Sequence, residues 1–156
     1  DYPGPTELSE ISVSLLEKKL YGVGFYRVKS KAVIKLSGIL LDKYDGEVPK
    51  TLSKLVSLPG VGLKTANCVL AYAFGIPAIA VDIHVHRITN SGRIAWVNTK
   101  TPEETEAELK KIVPKSRWID VNKLIVDHGQ RICLPLRPKC ELCSVVKDCN
   151  FGKIPA

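Results

Sequence analysis

The sequence predicts an all-α fold of many short helices, and three observations lead there. Apolar residues recur at the helical period of three to four along most of the chain. Loops marked by Gly and Pro, such as Gly22-Val23-Gly24 and Gly46-Glu47-Val48-Pro49, separate the periodic stretches. Thr101-Pro102-Glu103-Glu104 is a complete helix start: an N-cap residue, a proline at the first position, and acids in the first turn where the helix dipole favours them.

The elements follow in order. Glu7 to Leu20 puts Leu8, Ile11, Leu15 and Leu16 on one stripe, and Arg27 to Tyr44 repeats this with Val33, Leu36, Ile39 and Leu40. Shorter helices are predicted over Pro49–Leu58 and Leu63–Phe74. Asp82 precedes a helix over Ile83–Ala95, the Thr101 start leads to a helix ending near Val113, and another spans Ile119 to Ile132. Beyond Ile132, Pro135 and Pro138 break the pattern and no amphipathic period survives, so this tail needs another source of order.

With 45% hydrophobic and 25% charged residues, the 156-residue chain has globular composition and room for one ordinary domain or two small lobes. Its best apolar run, Pro77 to Val81, is far shorter than the roughly 18 residues of a membrane span. Collagen, coiled coil, membrane protein and low-complexity linker are excluded. No charged-then-apolar N-terminus with a cleavage site is present, so the expectation is a monomer that is cytoplasmic (prokaryotic nucleoid) or nuclear, not secreted. The chain contains no Met, so Asp1 is not expected to be a natural start.

Charge points to a polyanionic partner: 23 Lys and Arg against 16 Asp and Glu give +7. The surplus is clustered. Lys18, Lys19, Arg27, Lys29, Lys31 and Lys35 lie between Glu17 and Lys35 with one acid among them, while Glu103, Glu104, Glu106 and Glu108 crowd elsewhere. That asymmetry favours nucleic acid over a diffuse solubility effect.

Cys133, Cys140, Cys143 and Cys149 form a C-x6-C-x2-C-x5-C run. Four thiolates so close in sequence can converge on one tetrahedral metal or one cubane cluster, and ligation would order the tail. Two disulfides are the alternative, disfavoured by the Cys-x2-Cys pair and the lack of a secretion signal. Spacing separates zinc from iron–sulfur poorly; one knuckle with two wider arms leans toward [4Fe–4S]. Cys68, inside a helical stretch, reads as a small buried hydrophobe.

Leu58-Pro59-Gly60-Val61-Gly62-Leu63-Lys64-Thr65-Ala66 reads as a helix–hairpin–helix. Two glycines permit a turn closed to other residues, and the N–H groups of the hairpin and of the next helix point at any nearby anion, DNA phosphate being the natural one. Lys64 stands in the first turn of that helix, where the dipole and desolvation beside a bound strand favour the neutral amine that attacks C1′ of a sugar. Contact with a phosphate is its commoner alternative. Asp82 reads first as an N-cap; near Lys64 it would also stabilise positive charge on the sugar or move protons. His84 and His86, two apart, face different sides of a helix, so they do not share a metal. His84 or Arg87 is expected on a phosphate, and His86 is expected to be inert.

These three motifs, Leu58–Ala66 with Lys64, Ala80-Val81-Asp82-Ile83-His84-Val85-His86-Arg87, and the cysteine run, together resemble the endonuclease III family of DNA glycosylases over nearly the whole chain. The resemblance implies a helical barrel lobe over 1–97 carrying the helix–hairpin–helix and a cluster lobe over 98–156. It implies Lys64 as Schiff-base nucleophile, Asp82 as its assistant and a [4Fe–4S] cluster on Cys133, Cys140, Cys143 and Cys149. The partner would be duplex DNA with damaged or abasic sites, and the reaction excision of oxidised pyrimidines followed by β-elimination. Related adenine glycosylases of the mismatch branch lack a lysine at this position and use water, so Lys64 argues for the bifunctional enzyme. Gly22-Val23-Gly24-Phe25-Tyr26 resembles the family loop that inserts an apolar wedge into the duplex, with Phe25 or Tyr26 as wedge, against the alternative of a Phe packed in the core. Helices that family members carry ahead of the position of Thr6 have no counterpart here, so a fragment is expected. Two rival readings stand beside the enzyme: a non-catalytic DNA-binding module and a monofunctional mismatch glycosylase.

Overall fold

The computed structural model describes residues 4–153. Among these residues no strand forms, and the only ladder pairing is a single parallel bridge between Asn90 and Val97. The chain divides into two compact units, one ending at Gly62 and one beginning at Leu63.

The first unit holds α1 (Pro5–Glu10), α2 (Val13–Lys19), α3 (Tyr26–Tyr44) and α4 (Leu52–Val56). The single helix expected over Glu7–Leu20 is broken at Ile11–Ser12. Ser12 is extended, and its hydroxyl accepts the Leu15 N–H at 3.3 Å, so it caps α2 instead of continuing α1. The break rotates Leu15 outward into solvent and leaves Ile11 and Leu16 buried. Both short helices pack on α3, whose Leu40 is buried beside the small residues Ser30 and Ser37. Ser30 satisfies its hydroxyl by donating to the Tyr26 carbonyl at 2.8 Å.

The second unit holds α5 (Leu63–Cys68), α6 (Ile83–Thr89), α7 (Pro102–Ile112) and α8 (Trp118–Arg131). The helix of α5 runs on as a π turn over Val69–Ala73, and Gly75, at φ +64°, lets the Ile76 N–H close back on the Leu70 carbonyl at 2.9 Å. The apolar segment after it is buried as an extended chain; Asn122 of α8 donates to the Ala80 carbonyl at 2.8 Å, which a helix or sheet would otherwise satisfy. Thr101 forms the predicted capping box with Glu104. α6 ends at Thr89, short of the Ala95 expected, because Asn90 offers its side chain to the backbone: its Oδ1 accepts the Thr99 N–H at 2.7 Å.

One core joins Ile79, Val81, Val85, Ile88 and Val97 to Leu109, Val121 and Ile125. Residues on both sides of position 97 share this core, and the chain divides compactly at Gly62/Leu63. Past α8 the tail is a series of 3-10 turns at Cys140–Leu142, Val146–Asp148 and Phe151–Lys153.

Candidate active site

The hairpin after α4 closes the first unit. Leu58 N–H bonds to the Leu55 carbonyl at 3.1 Å and Val61 N–H to the Leu58 carbonyl at 3.2 Å. Gly60 is obligatory twice over: its φ is +77°, and a Cβ would come within 2.9 Å of the Ala32 methyl on α3. Gly60 and Gly62 are exposed, and their N–H groups have no backbone acceptor among the described residues, which suits an anion. Thr65 is exposed as well, and Pro59 and Val61 are half-buried. Leu58, expected among the DNA contacts, is buried at 4% exposure.

Lys64, on the first turn of α5, is exposed and shares a cleft of about 300 Å³ with Asp82, all of it within the second unit. Leu63, Val81 and Ile83 give the cleft apolar walls, and Glu103 and Glu106 at the start of α7 add acids. Asp82 is the N-cap of α6: its Oδ1 accepts the N–H groups of His84 and Val85, each at 2.9 Å. Its Oδ2 makes no hydrogen bond among the described residues, so one oxygen holds the helix while the other stays free. The cap and the chemical role weighed for Asp82 are therefore compatible.

The neighbours of Asp82 are engaged within the second unit. The Arg87 guanidinium, expected on a phosphate, donates to the Cys133 carbonyl at 2.7 Å and to the Cys133 sulfur at 3.6 Å. His84 turns its Nδ1 inward, buried without a partner, against Gly129 of α8, where any Cβ would come within 2.7 Å of that nitrogen. His86 is half-buried, with Nδ1 2.6 Å from the Thr105 hydroxyl. In the first unit Phe25 is 84% exposed and left-handed at φ 59°, an uncommon backbone for an aromatic residue, so the core alternative for this side chain is excluded. Tyr26 beside it is half-buried, its ring edge-on to Tyr21 at 5.7 Å between centroids and under the Arg27 guanidinium.

The four tail cysteines are free thiols lining one cavity with Arg93 and His128. Cys133 is buried and the other three half-buried. His128 Nε2 lies 3.7 Å from the Cys143 sulfur. Burial and the three neighbouring thiols push the Cys140 thiol up from its ordinary value, a crowding of potential negative charge that a bound cationic centre would reverse. Among the described residues no group of three or more His, Cys, Asp or Glu stands as a ready ligand set for a single metal ion. The donor chemistry fits a thiolate-held group that spans the cavity. Cys68 is half-buried and apart from this set.

Sequence reasoning missed one residue of the cleft, Glu106, and its partner Asn67. The sequence reading takes Glu106 only as one of the clustered acids Glu103, Glu104, Glu106 and Glu108, yet it is 5% exposed. Asn67, 1% exposed, donates to Glu106 Oε2 at 2.7 Å. The signal for Glu106 lay in its spacing: it stands three residues before the buried Leu109 and so on the same face of α7.

Comparisons with known proteins agree with this arrangement. The family model of the HhH-GPD superfamily of base excision DNA repair proteins matches residues 1–115. Endonuclease III of Thermotoga maritima is 47% identical over 150 residues, 96% of this chain and 70% of that protein. Endonuclease III homolog 1, chloroplastic, of Arabidopsis thaliana is 42% identical over 93% of this chain, which spans only 40% of that longer relative. Two solved structures, a non-covalent endonuclease III–DNA complex and a trapped endonuclease III–DNA covalent intermediate, each match with a TM-score of 0.91 at 38% identity, over 97% of this chain and 71% of theirs. Fold, hairpin and sequence similarity thus converge, and the chain belongs to the endonuclease III family of helix–hairpin–helix base excision repair proteins.

Proposed function

We propose that this chain carries the catalytic centre of a bifunctional DNA glycosylase and AP lyase that removes oxidised pyrimidines from duplex DNA. The observation that carries the reading is the shared cleft of Lys64 and Asp82, with the amine and a free carboxylate oxygen opening onto the same space. In the neutral form the Lys64 nitrogen attacks C1′; the C1′–base bond breaks as the C1′–Nζ bond forms, and the departing base takes a proton. The free Asp82 oxygen would stabilise the positive charge that develops on the sugar. Loss of the ring oxygen bond gives an iminium, loss of a C2′ proton then expels the 3′ phosphate, and water releases the enzyme amine.

The exposed glycine hairpin and the basic surface of α3, where Arg27, Lys29, Lys31 and Lys35 are all exposed, suit the phosphate backbone. Phe25, exposed on its left-handed turn, suits a wedge that fills the gap of an extruded base. Cys133, Cys140, Cys143 and Cys149 would hold a [4Fe–4S] cluster, whose ligation would fix the tail. Arg87 and His128 would donate to the ligating sulfurs of Cys133 and Cys143.

Borohydride trapping on a duplex carrying thymine glycol, run beside Lys64→Ala, tests the reading. A covalent protein–DNA adduct that disappears in the variant is the expected result. Salt-sensitive duplex binding with no adduct and no turnover would leave a DNA-binding module. Base release without strand cleavage would leave a monofunctional glycosylase.

A further inference from the structure

Glu106 is an acid removed from solvent, with its side chain 7% exposed, and it forms part of the wall of the cleft that holds Lys64 and Asp82. A carboxylate that deep persists only with partners. Both of its oxygens have one: Oε2 accepts from Asn67 Nδ2 at 2.7 Å, and Oε1 pairs with the Lys110 ammonium one turn along α7. Asn67 stands three residues after Lys64 on α5, and residues three apart share a helix face. The Asn67–Glu106 bond therefore ties α7 to the lysine-bearing helix on the lysine's own side. α5 has six residues before its π turn, too few for its own hydrogen bonds to hold it, so its rotation depends on tertiary ties such as this one.

We infer that Glu106 is a positioning residue for Lys64: through Asn67 it fixes the rotation of α5 and so sets where the Lys64 nitrogen stands in the cleft. This rests on Lys64 being the nucleophile. Attack on C1′ needs the nitrogen within about 3.5 Å and aligned, and a displacement of about 1 Å lowers the rate on the order of 100-fold. Lys110 neutralises Glu106 from the other side, whereas Asp82 keeps one oxygen without a hydrogen bond among the described residues.

The test uses the whole chain and a duplex with a preformed abasic site, so that base release is bypassed. Borohydride trapping rates at saturating protein and duplex affinity are measured for wild type, Glu106→Ala, Asn67→Ala and Glu106→Gln, well below each variant's melting temperature. Both alanine variants should trap on the order of 100-fold more slowly with affinity held within about two-fold. Glu106→Gln keeps an amide oxygen that accepts from Asn67, so it should recover to within about five-fold of wild type. Should Glu106→Ala not fold, Asn67→Ser, whose hydroxyl is too short to reach Glu106, replaces it in the same comparison. Alanine variants that trap as fast as wild type overturn the inference while Lys64 keeps its role. A Glu106→Gln as slow as Glu106→Ala overturns it too, because charge and not the tie to Asn67 would then be what matters. A wild-type chain that forms no adduct removes the nucleophile reading and this inference with it.

Discussion

Two pockets of the second unit, the Lys64 cleft and the cysteine cavity, are held by different means. The Lys64 cleft is walled by helix ends held by side-chain caps and ties: Asp82 caps α6 through one oxygen, Thr101 and Glu104 cap α7, and Glu106 binds both Asn67 and Lys110. The cysteine cavity is walled on one side by α6 and α8 and on the other by single 3-10 turns. Those turns are tied back by few bonds: Lys139 N–H to the Ile132 carbonyl at 2.9 Å, Asn150 N–H to the Arg93 carbonyl at 2.8 Å, and the Arg93 guanidinium stacked 3.8 Å from the Phe151 ring centre. The cleft is shaped by the polypeptide itself, whereas the tail lacks the helical hydrogen bonding that would order it unaided.

The largest expected effect breaks the comparison at its weaker side. Cys140→Ser removes one of the four thiols around the cavity. The purified protein should then lose bound iron and sulfide together, and protease should cut the chain beyond Ile132 while the helical signal of α5–α8 persists. Global unfolding of the second unit in the same variant would show that the cleft is not self-supporting. A tail that remains resistant would show that Arg93, Phe151 and the turn hydrogen bonds order it without ligation.

A second comparison lies within Asp82, which both caps a helix and faces the cleft. Asp82→Asn keeps an N-cap acceptor and removes the charge; Asp82→Ala removes both. Thermal melting should place Asp82→Ala about 1 kcal/mol below wild type and Asp82→Asn close to it. Strand cleavage should fall by about 100-fold or more in both. If Asp82→Asn keeps its activity, the residue is a cap and nothing more.

What could be read from the sequence was what is encoded over a few residues. The Thr101 capping box, the glycine hairpin before Lys64 and the spacing of the cysteines are local patterns with local physics, and the first two stand in the structure as expected. The misses have a common cause: a side chain chose a partner that spacing does not reveal. Ser12 and Asn90 turned their side chains onto the backbone and ended helices that the apolar period would have continued. Arg87 turned to Cys133, 46 residues away, and Glu106 to Asn67, 39 residues away. Phe25 was open between core and surface because a glycine-rich turn serves either; its exposure in the structure decides for the surface.

The smallest expected effect sharpens the account of how the cleft is held. Tyr72, on the π turn that continues α5, donates to Asn122 Oδ1 at 3.0 Å, and Asn122 in turn donates to the Ala80 carbonyl two residues before Asp82. Partial burial, with smaller contributions from Cys68 and Asp82, pushes the phenol above its ordinary value. A raised value means that the folded state favours the protonated phenol, so its contribution is complete below about pH 10 and fades as pH rises through the folded value. Because the ring is half exposed, Tyr72→Phe should cost only about 0.5 kcal/mol at neutral pH, the low end for a hydrogen bond. Denaturant melts of the two proteins should converge in alkaline buffer as the wild type loses the bond. A gap that stays constant through that range would mean that the phenol is not what joins the π turn to α8, and that packing of the ring alone holds this side of the cleft.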